Sequence, residues 1–264
     1  MKLSPVVTLL TDFGTRDPYA SAMKGVVLSL CPEASVVDLS HEIAPQGVLE
    51  AALFLPAAAP YFPPNSVHCA VVDPGVGTDR RAIAARVDGQ TFVCPDNGLL
   101  TLLIRQNHDM SIAVHAIENG DFMRAHVSRT FHGRDIFAAA AAHLARGVPL
   151  AEAGRAVEDP ILLELPAPVC ERQRVIGEVI HIDRFGNCIT NIPRPALQDV
   201  SMQDLEVLAG ARSGIRLHAA YAETAPGTVL ALFGSTGLLE IAVNGGNAAE
   251  ALGLSREMRV EAAW

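Results

Sequence analysis

Short apolar runs alternate with longer segments over the first part of the chain. The short runs are rich in β-branched residues and predict strands, and the longer segments predict helices. The predicted strands are Val6–Leu10, Val36–Leu39, Val67–Val72, Ala82–Val87, Thr91–Cys94 and Ser111–Ile117. The predicted helices are Asp17–Leu30, Gly47–Ala57, Asn97–Arg105 and Arg134–Ala145, with Asp17 as the expected cap of the first. We therefore expect an α/β domain with a largely parallel sheet over residues 1–165.

The pattern changes after the extended linker Leu165-Pro166-Ala167-Pro168. Beyond it, short β-like runs are separated by turn residues, and only Ala248–Leu254 has a helical pattern. The predicted strands are Val175–Ile182, Ile189–Ile192, Glu206–Leu208, Ile215–His218, Thr228–Phe233, Leu238–Val243 and Met258–Glu261. This spacing predicts a second, all-β domain with a barrel-like sheet over residues 170–264.

Composition narrows the class of protein. The 264 residues include 20 Lys and Arg against 29 Asp and Glu, and the net charge of −9 argues against a nucleic-acid partner. Half of the residues are hydrophobic, but no apolar run is long enough to span a bilayer, and the start of the chain lacks a signal-peptide pattern. We expect a cytoplasmic protein without a membrane partner.

The five cysteines are odd in number, and no two follow a CxxC spacing. This pattern predicts buried reduced thiols rather than a disulfide framework or a structural zinc site. Common nucleotide-binding, hydrolase and metalloprotease motifs are missing, and no local spacing indicates a metal site.

Four polar residues of the first domain are candidates for chemistry. Asp12 and Asp73 each follow a predicted strand, at the edge of the sheet where ligands bind in α/β folds. Arg80 precedes a predicted strand, and His132 precedes a predicted helix, whose first N–H groups favour anions. Three of these residues also have an ordinary explanation: a turn for Asp73, an exposed basic pair for Arg80 and a packed side chain for His132.

The second domain contributes two polar turns. Asp183, Phe185 and Asn187 lie in one turn and offer a carboxylate, an aromatic wall and an amide, although a hairpin with a glycine at positive φ explains them equally well. Ser235 and Thr236 lie in the other turn, where they either bind a carboxylate or serve only as turn residues.

An ordered set of motifs across both domains resembles one family, the S-adenosylmethionine hydroxide adenosyltransferases, which are related to fluorinases and chlorinases. The motifs are Thr11-Asp12-Phe13-Gly14, Val36-Val37-Asp38-Leu39-Ser40-His41, Val72-Asp73-Pro74-Gly75-Val76-Gly77-Thr78, Pro95-Asp96-Asn97-Gly98, Thr130-Phe131-His132-Gly133-Arg134-Asp135, Ile182-Asp183-Arg184-Phe185-Gly186-Asn187 and Asn191-Ile192. The resemblance implies an N-terminal α/β domain, a C-terminal β-barrel and a homotrimer with sites at the subunit interfaces. It also implies cleavage of S-adenosylmethionine by water or hydroxide to adenosine and methionine, without a metal or redox cofactor.

The resemblance assigns a catalytic triad to Asp73, Arg80 and His132. The halogenases have a tyrosine at the aspartate position and lack the His-Gly pair, so this chain is similar to the hydroxide branch. Arg80 would stabilise the attacking anion, and Asp73 and His132 would orient the water and take its proton. Whether the aspartate or the histidine receives the proton stays open.

The resemblance also assigns the substrate contacts. Asp12 matches the residue that holds both ribose hydroxyls, and Asn187 with Phe185 matches the adenine-binding pair. Asp183 matches the partner of the methionine ammonium, and Ser235 matches the binder of the methionine carboxylate. The halogenases follow that serine with an arginine, where this chain has Thr236. The remaining implied contacts are Val243, whose backbone would meet the adenine edge, and Glu240.

Two other functions fit parts of the same sequence. A halide-dependent adenosyl transferase of the same fold would need a different nucleophile at the ribose 5′ carbon. A sensor that binds adenosine or S-adenosylmethionine without catalysis would use Asp12, Asn187 and Phe185 equally well. Both stay open as alternatives to the hydrolase.

Overall fold

The computed structural model describes residues 4–264 and divides the chain into two compact units. The first unit ends at Leu163, and the second runs from Glu164 to Trp264. All five cysteines are free thiols, four of them buried. Cys170 is exposed, which corrects the expectation that every cysteine is buried; it lies in a short strand whose three residues are all exposed.

The first unit contains one six-stranded sheet. Its strands are β1 (Val6–Thr11), β2 (Ser35–Ser40), β3 (Val67–Val71), β4 (Ala82–Val87), β5 (Gln90–Pro95) and β6 (Ala113–Ala116). The order across the sheet is β2-β1-β3-β5-β4-β6. The first four strands in this order are parallel, and β4 runs antiparallel to both of its neighbours. The predicted α/β class with a largely parallel sheet is therefore confirmed.

Four helices cover both faces of this sheet. They are α1 (Tyr19–Leu30), α2 (Val48–Ala58), α3 (Thr101–Gln106) and α4 (Ala138–Ala145). Alternation along β1 sends Val7 and Leu9 into the core under α1 and α4, and it sends Leu10 into the core under α2 and α3. The sheet is thus buried on both sides, as a parallel sheet requires.

The helix starts differ from the predicted ones. Pro18 precedes α1 directly, and Asp17 makes no capping hydrogen bond because it lies one residue further out. The predicted helix Arg134–Ala145 begins instead with a π-helical turn, Gly133–Phe137, and continues as α4. An inserted π turn of this kind is frequent at functional sites, and it carries His132 at its N-terminal end.

The second unit is an antiparallel sheet with one short helix, α5 (Ala248–Leu252). Its strands are β7 (Val169–Glu171), β8 (Arg174–Ile182), β9 (Cys188–Pro193), β10 (Glu206–Ala209), β11 (Arg212–Arg216), β12 (Val229–Phe233), β13 (Leu238–Val243) and β14 (Arg259–Ala263). The order is β11-β10-β14-β8-β9-β13-β12, with β7 beside β8. A bridge between Leu217 and Ala231 links the two ends, so the sheet is nearly closed, as the predicted barrel-like domain requires. No helix in residues 4–264 is long and apolar enough to cross a membrane.

The loop after β3 packs closely against the segment before the π turn. Gly77 has a φ of +79°, and a Cβ built on it would lie 2.4 Å from the carbonyl oxygen of Arg129. Gly89, in the turn between β4 and β5, has a similar φ of +72° but open space around the same position. Both positions have a left-handed backbone, but only at Gly77 would a side chain also collide with a neighbour. Comparing substitutions at the two positions therefore distinguishes backbone strain from a steric clash.

Gly77→Ala is expected to destabilise the first unit more than Gly89→Ala. Both variants carry the cost of a left-handed alanine, about 1–2 kcal/mol. Only Gly77→Ala adds a clash with a backbone oxygen, which should cost about 1 kcal/mol or more in addition. The measurement is the thermal unfolding midpoint of each variant against the wild type. Equal midpoints for the two variants would contradict the close packing of these segments.

Candidate active site

The carboxyl edge of the parallel sheet carries a cavity of about 540 Å³. Thr11 of β1 pairs with Val71 of β3, so Asp12 and Asp73 leave neighbouring strands at the same edge. Both side chains line the cavity, and so does His132 from the start of the π turn. Three segments that are distant in sequence therefore meet at one pocket.

Arg80 joins Asp73 to His132. Its Nε donates to Asp73 Oδ1 at 2.9 Å and to Oδ2 at 3.1 Å, and its Nη2 donates to Asp73 Oδ2 as well. Arg80 Nη2 also lies 2.9 Å from His132 Nδ1. The side chains of Arg80 and Asp73 are only 10% and 5% exposed, and the guanidinium lies over the Phe137 ring with its carbon 5.1 Å from the ring centre.

This arrangement determines the protonation of His132. A guanidinium has donors only, so His132 Nδ1 must accept the hydrogen bond, and the neutral ring carries its proton on Nε2. Burial lowers the pKa of the His132 imidazole below its usual value, and the positive charge of Arg80 lowers that pKa further. The Asp73 and Asp135 carboxylates act in the opposite direction. His132 is thus held neutral, next to a permanent cation.

Neighbouring contacts hold the cluster in place. Asn97 Nδ2 donates to the carbonyl of Val72, directly before Asp73, at 2.8 Å. Arg81 turns away from the cavity, and its Nε donates to Asp96 Oδ2 at 2.6 Å. The adjacent arginines therefore differ in role: Arg80 belongs to the cluster with Asp73 and His132, and Arg81 stabilises the structure behind that cluster.

Fully buried Asp135 holds the loop that carries His132. It accepts hydrogen bonds from the backbone N–H of Ser128 at 2.9 Å and from Nε and Nη2 of Arg134 at 2.6 and 2.8 Å. Ion pairing with Arg134 and Arg124 overcomes the effect of burial and lowers the pKa of the Asp135 carboxyl. Asp135 thus holds the loop before the π turn in place, although it does not itself line the cavity.

Several cavity residues were not singled out from the sequence. Three polar residues line the pocket beside His132: Ser128, Thr130 and Arg134. Thr130 and Arg134 belong to the same sequence motif as His132, which could have indicated them. Phe13, Tyr19 and Phe131 also line it as an edge-to-face cluster, with ring centres 5.2–6.0 Å apart. These aromatic residues come from three segments, so no local pattern could have grouped them.

Asp12 presents a partly engaged carboxylate to the cavity. Its Oδ2 accepts a hydrogen bond from the backbone N–H of Gln46 at 2.8 Å. Gln46 has a φ of +63°, an uncommon conformation for a residue other than glycine. The backbone at Gln46 is thus shaped around the Asp12 carboxylate.

The second unit holds Asp183, Phe185 and Asn187 in a tight turn. Asp183 Oδ1 accepts from the backbone N–H groups of Phe185 and Asn187, both at 2.9 Å, and its Oδ2 accepts from Asn187 Nδ2 at 2.9 Å. Gly186 has a φ of +84°, and a Cβ there would collide with the Asn247 side chain. The turn buries Asn187 and leaves the Phe185 ring 75% exposed.

Glu240 lies buried in β13 and accepts a hydrogen bond from the hydroxyl of Tyr221, a residue that the sequence did not single out. Burial raises the pKa of the Glu240 carboxyl, and the nearby charge of Asp183 adds to this, although the bond from Tyr221 opposes it. Burial and Glu240 also raise the pKa of Tyr221. Ser235 is exposed in the turn before β13, and Val243 is buried at its end.

The structure therefore groups the candidates by unit. Asp12, Asp73 and His132 line the cavity of the first unit, and Arg80 bonds to Asp73 and His132. The turn of Asp183 and the Glu240–Tyr221 pair form a second group that is electrostatically coupled within the second unit. Among residues 4–264, no three His, Cys, Asp or Glu side chains are arranged to hold a metal ion.

A buried Asp–Arg–His cluster at the wall of a cavity of this size, with a further carboxylate beside it, defines an enzyme that acts on a small molecule. Comparison with known families is more specific. Residues 7–154 match the SAM hydroxide adenosyltransferase N-terminal domain, and residues 177–261 match the C-terminal domain of that name. The chain belongs to the SAM hydroxide adenosyltransferase family, and the resemblance inferred from its motifs is confirmed.

Individual relatives agree with this assignment. A curated protein from Salinispora tropica, named (R)-S-adenosyl-L-methionine hydrolase, is 41% identical over 97% of this chain and 96% of its own length. One of the same name from Thermus thermophilus is 42% identical over 96% and 98%. A fluorinase from Actinoplanes is 32% identical over 74% of each chain. The crystal structure of an uncharacterized conserved protein from Thermotoga maritima superposes with a TM-score of 0.92, at 37% identity, over 98% of this chain and 100% of that one.

Arg80→Met is expected to raise the pKa of His132. The substitution removes a neighbouring positive charge and leaves the Asp73 carboxylate, which favours the protonated imidazole. The measurement is an NMR titration of the imidazole nitrogens. His143 is the matched control, because burial and Arg146 lower its pKa without a contribution from Arg80. A His132 pKa that stays unchanged would contradict the hydrogen bond between Arg80 and His132.

Proposed function

We propose that this protein hydrolyses S-adenosyl-L-methionine to adenosine and L-methionine by substitution at the ribose 5′ carbon. The observation that carries the proposal is the Arg80 guanidinium, which lies between Asp73 and neutral His132, two residues of the cavity wall. The full-length similarity to two proteins named as hydrolases supports the same activity.

The reaction requires an activated oxygen nucleophile rather than help for the leaving group. A bond forms between the water oxygen and the 5′ carbon, and the bond from that carbon to sulfur breaks. Its electron pair moves to the sulfonium sulfur, which leaves as the neutral thioether of methionine. Attack of hydroxide on a sulfonium cancels charge, so a site that excludes water and aligns the two partners favours the transition state.

The cluster supplies what such a nucleophile needs. Arg80 stabilises the oxygen anion as it forms, because a guanidinium stays protonated and holds a full positive charge. Asp73 is the acceptor available for the water proton, which then passes to solvent, because His132 Nδ1 already accepts from Arg80 and Nε2 carries the ring proton. His132 orients the water through its Nε2–H. Because the three side chains bond to one another before substrate arrives, little reorganisation is needed during the reaction.

We assign the substrate contacts in two groups. Asp12 holds the two ribose hydroxyls, a bidentate task for a carboxylate whose backbone partner already orients it. Asn187 donates to Asp183 through Nδ2, which leaves its Oδ1 as an acceptor for the adenine amino group, with Phe185 as the adjoining aromatic wall. The remaining contacts are the methionine ammonium at Asp183, with Glu240 nearby, the methionine carboxylate at Ser235 and the adenine edge at the backbone of Val243.

No metal or redox cofactor is part of this proposal. The leaving group is already activated by its positive charge, and the nucleophile is stabilised by Arg80, so neither end of the reaction calls for a Lewis acid. Turnover should therefore persist in the presence of a chelator.

We further propose a homotrimer in which each active site combines the first unit of one subunit with the second unit of the next. The family resemblance implies this assembly. The division of the candidate residues between the two units supports it, because neither group alone provides both the triad and the adenine contacts.

Two rivals make different chemical demands. A halide-dependent transferase would bind an anion that cannot donate a proton, next to the Asp73 carboxylate. A sensor would use Asp12, Asn187 and Phe185 but would have no need for the Asp–Arg–His cluster. The full-length hydrolase relatives favour hydrolysis over both.

Incubation with S-adenosylmethionine in oxygen-18 water, without halide and with a chelator, tests the function directly. Adenosine that carries the label at its 5′ oxygen is the expected product, because the water oxygen attacks carbon. Mass spectrometry of the products gives the answer. Turnover only after addition of a halide would support the transferase, and bound substrate or adenosine without products would support the sensor.

Subunit complementation tests the triad and the assembly together. Asp73→Asn and Asn187→Ala should each lower turnover at least about a hundredfold, the first through the triad and the second through adenine binding. Their co-expression with random assembly into trimers should restore about a quarter of wild-type activity, because a quarter of all the interfaces would pair two intact halves. Failure of the mixture to exceed either single variant would exclude sites shared between subunits.

The matched control for this mixture uses two variants of the same unit. Co-expressed Asp73→Asn and His132→Ala both damage the first unit, so no interface regains a complete triad. Their mixture should stay as inactive as the single variants. Recovery in this control would show that the gain comes from some property other than complementation.

A further inference from the structure

His41 bonds to both sides of the loop that carries Asp12. Its Nδ1 lies 2.8 Å from the hydroxyl oxygen of Thr11, directly before Asp12. Its carbonyl oxygen accepts the backbone N–H of Gly14, two residues after Asp12, at 2.7 Å. His41 itself is 4% exposed, so these bonds are shielded from water. One buried residue thus fixes the loop at two points.

A bulge between β1 and β2 brings His41 to this place. Leu9 pairs with Asp38, but Leu10 pairs with Ser40, so Leu39 is an extra residue on β2. Bulges bend a strand and change the direction of the side chains that follow. The bulge precedes the end of β1 directly, where Thr11 and Asp12 begin the loop.

The other side of the His41 ring faces an ion pair. Asp38 Oδ1 lies 3.0 Å from His41 Nε2, and Asp38 Oδ2 accepts from Lys24 Nζ at 2.6 Å. His41 Nε2 lies at ion-pair distance from this carboxylate without a well-aligned hydrogen bond, and its Nδ1 holds the Thr11 hydroxyl. The Thr11 oxygen is then free to accept the backbone N–H of Phe13, which lies 3.3 Å away. The contacts connect the loop through Thr11 and His41 to Asp38, which also accepts a hydrogen bond from Lys24.

We propose that His41 is a positioning residue for Asp12 and thereby determines how strongly the protein recognises the ribose diol. The inference rests on the proposed assignment of Asp12 to the ribose hydroxyls. His41 does not line the cavity, so it acts through the loop: Thr11 and Gly14 set the backbone, and Gln46 orients the carboxylate. A loosened loop would lose the two-point contact with the diol.

The same strand contains a matched control. His68 is also buried, its Nδ1 lies 2.8 Å from the hydroxyl of Thr8 in β1, and its Nε2 bonds to Gln90 at 2.7 Å. This Thr–His pair lies three residues before the Thr11–His41 pair and does not contact the Asp12 loop. Substitutions at the two pairs remove equivalent buried hydrogen bonds, so they separate loss of stability from loss of ribose recognition.

The test compares the binding of adenosine and 2′-deoxyadenosine to the full-length protein by calorimetry. Wild type should prefer adenosine by about tenfold or more, because the missing hydroxyl removes a hydrogen bond to a carboxylate. Asp12→Ala should abolish the preference. Thr11→Val and His41→Gln should lower it severalfold, whereas Thr8→Val and His68→Gln should leave it at the wild-type value.

His41→Asn supplies a rescue. An asparagine amide can reach the position of Nδ1 and keep a partner for Thr11, whereas a glutamine amide extends toward the position of Nε2. His41→Asn should therefore retain more of the adenosine preference than His41→Gln.

The outcomes separate this inference from the proposed reaction, since the readout does not depend on turnover. A wild type without the preference, or an Asp12→Ala variant that keeps it, would overturn the inference at its premise. An unchanged preference in His41→Gln, or an equal loss in His68→Gln, would contradict the role of His41 in positioning Asp12. Absence of labelled adenosine in the hydrolysis test would instead overturn the reaction and leave the binding result standing.

Discussion

The bridge from Asp73 through Arg80 to His132 is the interaction on which the rest of the site depends. A guanidinium this far from water is tolerable because a carboxylate neutralises it through several hydrogen bonds. Burial lowers the pKa of His132, and the same guanidinium lowers it further, since protonation would place two cations together. Removal of any member changes the electrostatic surroundings of the other two, so the three side chains form one electrostatic unit.

The fold must therefore bring three distant segments to one place and hold them there. β3 delivers Asp73 to the edge of the sheet, the approach to β4 delivers Arg80, and the π turn before α4 delivers His132. Five consecutive alanines, Ala138–Ala142, are completely buried in α4, and such small side chains let the helix approach the sheet closely. Phe137 then reaches beneath the Arg80 guanidinium. Close packing positions the charges, which a flexible loop could not do as well.

Sequence patterns predicted the parts of this arrangement that depend on local rules. Strand ends placed Asp12 and Asp73 at one edge of the sheet, and the runs Ala82–Val87 and Thr91–Cys94 predicted the two strands that pair as β4 and β5. The partner of each charge could not be predicted in this way, because partners 7 to 78 residues apart meet only through tertiary contacts. Arg80 and Arg81 are identical in type and adjacent, and only the fold assigns one to the cluster and the other to the framework. The roles of Asp73, Arg80 and His132 came from the family resemblance, and they stay predictions.

The same cluster explains why water suits this site better than a halide. A halide ion only accepts hydrogen bonds, so it would gain from Arg80 and from the Nε2–H of His132, but it would be repelled by the Asp73 carboxylate. Water can donate to a carboxylate and present its oxygen to the guanidinium at once. As it loses a proton, the negative charge on Asp73 is neutralised, while the charge on oxygen grows beside Arg80. The Asp73 carboxylate, which repels a halide ion, is thus the group that a water molecule needs as its proton acceptor.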